Sequence, residues 1–166
     1  MHIELTIDEA VHLARAVAPV PAMVLAVRAA GEDGDAVEVD LDPALLPGAS
    51  GLVRFGAALA GRVTVTAQLL GFADGDASFA VAAQARGLTV DRLLNHLVGT
   101  ITGALAAQGL PRDVVELRPG ADGPVLVAHA QAAVDARATG VVVEDVALRA
   151  GRARVDLAVR GEVTLP

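Results

Sequence analysis

The sequence predicts an α+β fold in which a long, twisted antiparallel sheet wraps around one long apolar helix, with two short helices and an internal repeat. Three observations carry that expectation. Leu93 to Leu110 runs 18 residues without a charge, and a helix lacking a charged face is normally covered on most sides. Arg62 to Arg86 alternates apolar and polar residues on two arms joined by Asp74-Gly75, a hairpin signature. Arg152 to Leu165 alternates as well, and at about 3.3 Å per residue it could reach roughly 40 Å, a length found in strongly twisted sheets. A chain of 166 residues is most economically one domain spanning 1–166.

In order, His2 to Ile7 reads as a strand. Thr6 to Glu9 forms a capping box, which starts a short helix over Asp8 to Ala18 that buries Val11, Ala14 and Val17 or Ala18 and stops before Pro19. Ala22 to Ala29 and Ala36 to Leu41 pair across the GEDGD turn, with Val37, Val39 and Leu41 inward and Glu38 and Asp40 toward water. Asp42 to Gly51 is a loop, and Leu52 to Gly56 a short strand. In the central hairpin, Val63, Val65, Ala67 and Leu69 share a face, as do Phe79, Val81, Ala83 and Ala85. The apolar phase switches at Gly71, which predicts a bulge.

The long helix follows. Leu94, Val98, Ile101 and Leu105 lie on one face at spacings of three and four, and Gly109 then Pro111 end it. Beyond it come short strands at Val114 to Leu117 and Pro124 to Ala128, a short helix over Ala130 to Ala138, and a closing hairpin that turns at Ala150-Gly151. The opening and closing stretches share an order of strand, short helix, strand, Gly turn and strand, which is the internal repeat.

Composition excludes several function classes. Net charge is −7, all 13 basic residues are Arg, and Trp and Tyr are absent. That opposes nucleic acid and anionic membrane surfaces, which need a basic footprint, and removes aromatic stacking platforms. No Cys means no disulfide and no thiolate chemistry. The N-terminus shows neither a basic nor an apolar leader segment, so a cytoplasmic chain is expected, and polar residues dilute the apolar helix too far for a membrane span. No cofactor and no metal is expected, because neither HExxH nor paired His at ligand spacing occurs. Ser50 and Ser78 lie outside any GxSxG context, and the acidic Gly turns suit neither phosphate nor calcium. His12 stands one turn after Asp8 and His96 lies on the helix, while His129 and His2 stand alone.

Two stretches, VTVTAQLLGFADGDASFAVAAQARGLTVDRLLNHL and GVVVEDVALRAGRARVDLAV, carry a further observation. In their order of elements they resemble the tubular lipid-binding (BPI-like) proteins, and look closest to the small bacterial phospholipid-binding domains of the LmeA type. The resemblance implies a lipid carrier without catalysis. From the residues themselves, an uncharged helix against a twisted sheet could enclose an apolar groove lined by Leu94, Val98, Ile101, Leu105, Val63, Val65, Phe79 and Val81. The same side chains would equally fill an ordinary core.

The expected function is therefore a non-catalytic module for an apolar or lipid-like small molecule. Two alternatives stand beside it. One is a structural, self-associating domain forming a homo-oligomer through the Gly-bearing helix or a long edge strand. The other is a helix-grip, cyclase-like enzyme using His96 or His12 as base.

Overall fold

The computed structural model describes residues 1–17, 20–45, 61–86, 88–89 and 92–165. The strand read at Leu52 to Gly56 and most of the loop before it lie outside the described residues.

The elements run β1 (His2–Thr6), α1 (Ile7–Val17), β2 (Val24–Ala30), β3 (Ala36–Leu41), β4 (Val63–Ala73), β5 (Asp76–Ala85), β6 (Leu88–Thr89) and α2 (Arg92–Ala107). They continue with β7 (Val115–Gly120), β8 (Gly123–His129), α3 (Ala130–Asp135), β9 (Thr139–Arg149) and β10 (Arg152–Thr164). The strands form two antiparallel sheets. The smaller has the order β1-β10-β9; the larger has the order β2-β3-β4-β5-β8-β7, with β6 beside the end of β5.

This corrects the expected architecture, since no long sheet wraps around an apolar helix. The last strand does not extend the central hairpin but builds the smaller sheet, because β1 returns to pair with it from His2↔Asp156 to Thr6↔Arg152. The helix lies against β5 and β7 rather than inside a sheet. Its N-terminal half buries Leu94 and Leu97, but Asn95, Gly99, Gly103 and Ala107 are exposed, and Ile101 is 42% exposed. The physical reason is the size of the uncharged side chains. Gly, Ala and Thr present little apolar area, and at about 25 cal/mol per Å² little is gained by covering them. Among the described residues nothing comes within 4 Å of the positions where Gly99 and Gly103 would carry a Cβ, so none of them makes a close crossing there.

Local signals behave as the residues dictate. The Thr6 amide donates to Glu9 Oε2 at 2.7 Å and the Glu9 amide to Thr6 Oγ1 at 3.2 Å, completing the capping box. The Thr6 amide and hydroxyl hold the Glu9 carboxyl below its usual range. The helix they start packs less than expected: Ile7 is buried and Val11 half-buried, but Ala14 is exposed and Leu13 is 55% exposed, while the side chains of Val17 and Ala18 lie outside those described. At the other end of α2, Gly109 has φ +80, its amide donates to Ala106 O, and the Leu110 amide donates to Leu105 O at 3.1 Å. These are the two bonds of a Schellman stop.

The core lies on one face of the larger sheet. Met23, Leu41, Val63, Val81, Ala83, Ala85, Leu94 and Leu97 are buried together, with Val39, Val65, Phe79, Leu117 and Leu126 packed against them. Register explains the grouping: Val39 faces Val65, Val65 faces Ala83, and Leu69 faces Phe79, which in turn faces Leu126.

The order strand, helix, strand, turn, strand occurs at both ends of the chain, as β1-α1-β2-β3 and as β8-α3-β9-β10. The hairpin of each unit lies in one sheet and its first strand in the other. The two corresponding turns meet: the Ala150 amide donates to Asp33 O at 2.7 Å and the Gly151 amide to Gly34 O at 3.0 Å. These bonds join the sheets where Gly34 and Gly151 both hold positive φ.

Candidate functional site

The central hairpin builds the most distinctive surface feature. Val63, Val65, Ala67 and Leu69 occupy the core face of β4 by strict alternation. Between Leu69 and Gly71 the register shifts, so that Leu69 faces Phe79 and Gly71 faces Ser78. Leu70 is the extra residue, as the phase switch at Gly71 indicates. The bulge returns Phe72 to the core face opposite Ala77, while Leu70, on the opposite face with Thr66 and Gln68, is 59% exposed.

Two clefts share Leu70. One, of about 330 Å³, is lined by Thr66, Gln68, Leu70, Ala80, Val81, Ala82 and the β7–β8 turn from Ala121 to Val125. Leu70, Ala80, Ala82, Pro124 and Val125 make its walls apolar, while Gln68 and Asp122 supply polar groups. The other, of about 670 Å³, lies between the sheets and is lined by Leu69 to Phe72, Asp145 to Ala150, Asp33 and Asp35. Its rim is charged: Asp33, Asp35 and Asp145 against Arg149. Gln68 Nε2 donates to Asp35 Oδ2 at 2.9 Å and fixes the boundary between the two.

The eight residues expected to line a sheet–helix groove fall into two groups. Leu94, Val63 and Val81 are buried members of the core, with Val65 and Phe79 packed on it. Val98 and Leu105 are half-buried and Ile101 exposed, outside that cluster. Val81 alone among the eight also lines the smaller cleft.

Polar clusters occupy the other face of the larger sheet. Asp40, expected to face water, is 5% exposed. Arg28 Nη1 donates to its Oδ2 at 2.7 Å, Thr64 Oγ1 to its Oδ1 at 2.8 Å, and Arg62 stands 3.6 Å away. Cross-strand register makes this possible, since Thr64 lies directly opposite Asp40 and Arg28 lies two pairs along, opposite Glu38 and on the same face. Chiefly the Arg28 guanidinium, then the Thr64 hydroxyl, hold the Asp40 carboxyl below its ordinary range, and Asp40 in turn raises Arg28. A depressed carboxyl stabilises the fold above the unfolded value near 4, and that contribution is lost as pH falls through the lower folded value. Asp40→Asn is expected to cost about 2 kcal/mol at pH 7, reduced from the range for buried pairs because Arg28 and Arg62 are half exposed or more. Urea unfolding at pH 7 and below pH 3 checks this, with the gap between variant and parent closing in acid.

A second cluster joins β5, β7 and β8. His129 Nδ1 lies 2.7 Å from Asp76 Oδ1, its Nε2 lies 3.6 Å from Glu116 Oε1, and Arg118 pairs with Glu116. His129 has no neighbour in sequence that signals this. The strand register, which sets Asp76 opposite His129, brings them together. A carboxylate-oriented imidazole can act as a base, but Glu116 stands at its second nitrogen, and His129 lines neither cleft at Leu70. Its evident effect is to tie three strands. His12 and His96 are both exposed, and among the described residues no side-chain hydrogen bond joins Asp8 to His12. Among the described residues no group of three or more His, Cys, Asp or Glu is placed to hold a metal ion, and no helix is long and apolar enough to cross a membrane.

Comparison with protein-family models, with curated proteins and with solved structures gives no match.

Proposed function

We propose that this chain is a non-catalytic module that binds an apolar or lipid-like molecule at the cleft around Leu70. The observation that carries the reading is Leu70 beside the bulge: a leucine, 59% exposed, over an apolar recess of about 330 Å³. A side chain of that size left in water is unfavourable by about 1–2 kcal/mol, and a ligand on the walls of Ala80, Ala82, Pro124 and Val125 recovers it. The volume lies at the lower end of small-molecule sites, roughly 300–1,000 Å³. The pattern resemblance to tubular lipid-binding proteins points the same way. The acidic rim of the neighbouring cleft favours neutral or cationic headgroups over anionic ones.

The test is a titration with the neutral apolar dye Nile red, helped by the absence of Trp and Tyr fluorescence. Leu70→Asp is expected to weaken binding by about 5–30-fold, the equivalent of 1–2 kcal/mol, with little change in Tm because the site is exposed. Unchanged affinity in a folded variant would remove the cleft from consideration.

Self-association is a second reading, favoured by one observation, the edge of β10.

A further inference from the structure

The last strand has two unequal halves. Along its outer edge β1 covers Arg152 to Asp156, and the Met1 backbone takes up Leu157 through its ammonium and carbonyl at 2.8 and 2.7 Å. From Ala158 onward no described strand pairs with that edge. On the inner side, Val159 faces Val141 but Thr164 faces Thr139, so five steps on β10 answer two on β9. The three extra residues bulge out of the ladder at Gly161, whose φ is +89. Among the described residues, backbone amides and carbonyls of this segment are therefore left for another strand, an arrangement that folded proteins usually cover.

The side chains on this open edge are apolar or oppositely charged. Val159 is 58% exposed and Val163 45%. Arg160 and Glu162 are exposed, and among the described residues neither has an ion-pair partner. Read outward from Gly161, the segment is self-complementary in antiparallel orientation. Val159 falls opposite Val163 of a second copy and Arg160 opposite its Glu162, and the two-fold repeats both pairs. Opposite charges directly across an antiparallel pair stabilise it, whereas like charges destabilise it, and a two-fold interface must match itself in this way.

We propose that two copies of this chain pair antiparallel along the outer edge of β10 about a two-fold axis at Gly161, joining their smaller sheets into one. The interface is independent of the cleft at Leu70, so ligand binding and pairing succeed or fail separately.

Sedimentation equilibrium with refractive-index detection, over a concentration series, tests it. The parent is expected to show a reversible monomer–dimer equilibrium. Arg160→Glu and Glu162→Arg should each raise the dimer Kd about tenfold or more, since each turns two attractive pairs into repulsive ones. The double exchange R160E/E162R should restore it. Both positions are exposed, and circular dichroism checks that the variants fold. A second probe exploits the absence of cysteine: an equal mixture of R160C and E162C proteins should form the mixed disulfide in preference to either homodimer, because opposed residues lie within disulfide reach. A monomer at every concentration, a dimer indifferent to the single exchanges, or one that the double exchange fails to restore would overturn the proposal.

Discussion

Leu94→Ala is expected to destabilise the fold by about 3 kcal/mol, the middle of the range for a leucine removed from a packed core. Ile101→Ala, two turns further along the same helix, is expected to cost under about 1 kcal/mol. The contrast follows from packing. Leu94 is 3% exposed within the cluster that holds Val63, Val81 and Ala83, so truncation leaves a void where neighbours are fixed by sheet register. Ile101 is 42% exposed and stands outside that cluster. Equilibrium urea unfolding of both variants checks it. Equal large losses would mean that α2 is enclosed after all, and equal small ones that it contributes little to the core.

Gly34→Ala is expected to cost about 3 kcal/mol as well, for a different reason. Its φ of +62 disfavours a side chain by about 1 kcal/mol. Steric contact costs more. A Cβ there would overlap the Gly151 nitrogen and lie 2.8 Å from the Ala150 carbonyl carbon. Both are backbone atoms, so the turns must separate, and the bonds from the Ala150 and Gly151 amides are lost at about 1 kcal/mol each. Gly61→Ala provides the comparison, having a similar φ of +68 and, among the described residues, nothing within 4 Å. A Tm drop for Gly34→Ala well beyond that of Gly61→Ala would show that the meeting of the two hairpin turns holds the sheets together. Equal drops would assign the cost to φ alone.

How far the sequence foretells this molecule depends on distance along the chain. Where the determining contacts are local, the reading holds: the Thr6–Glu9 box, the Asp74-Gly75 turn, the stop at Gly109 and the irregularity before Gly71 are each set by residues within a few positions. Alternation also identifies the core faces of β4 and β5. The division into two sheets is not legible, because it depends on β1 finding β10 across 154 positions, as in His2↔Asp156. Nor is the burial of Asp40, whose alternating strand reads as half solvated. The carboxylate is covered by partners 12 and 24 residues away. For α2, absence of charge suggests burial on most sides, whereas its small residues leave little to bury.

The site shows the same division. The phase switch announces a bulge, and alternation sets Leu70 on the face away from the core. The clefts beside Leu70 depend on Ala121 to Val125 in one case and Asp145 to Ala150 in the other, and no pattern within β4 points to either. The polar cluster at His129 is hidden for the same reason, since its partners Asp76 and Glu116 come from two other strands.

That Leu70 marks a site for an apolar ligand is tested most directly by native mass spectrometry of the purified protein, beside Leu70→Asp prepared identically, followed by organic extraction. The expected result is an apolar species carried at up to one per chain by the parent and lost from the variant. The same species in equal amount on a folded Leu70→Asp protein, or a parent that takes up no neutral lipid when offered an excess, would contradict it.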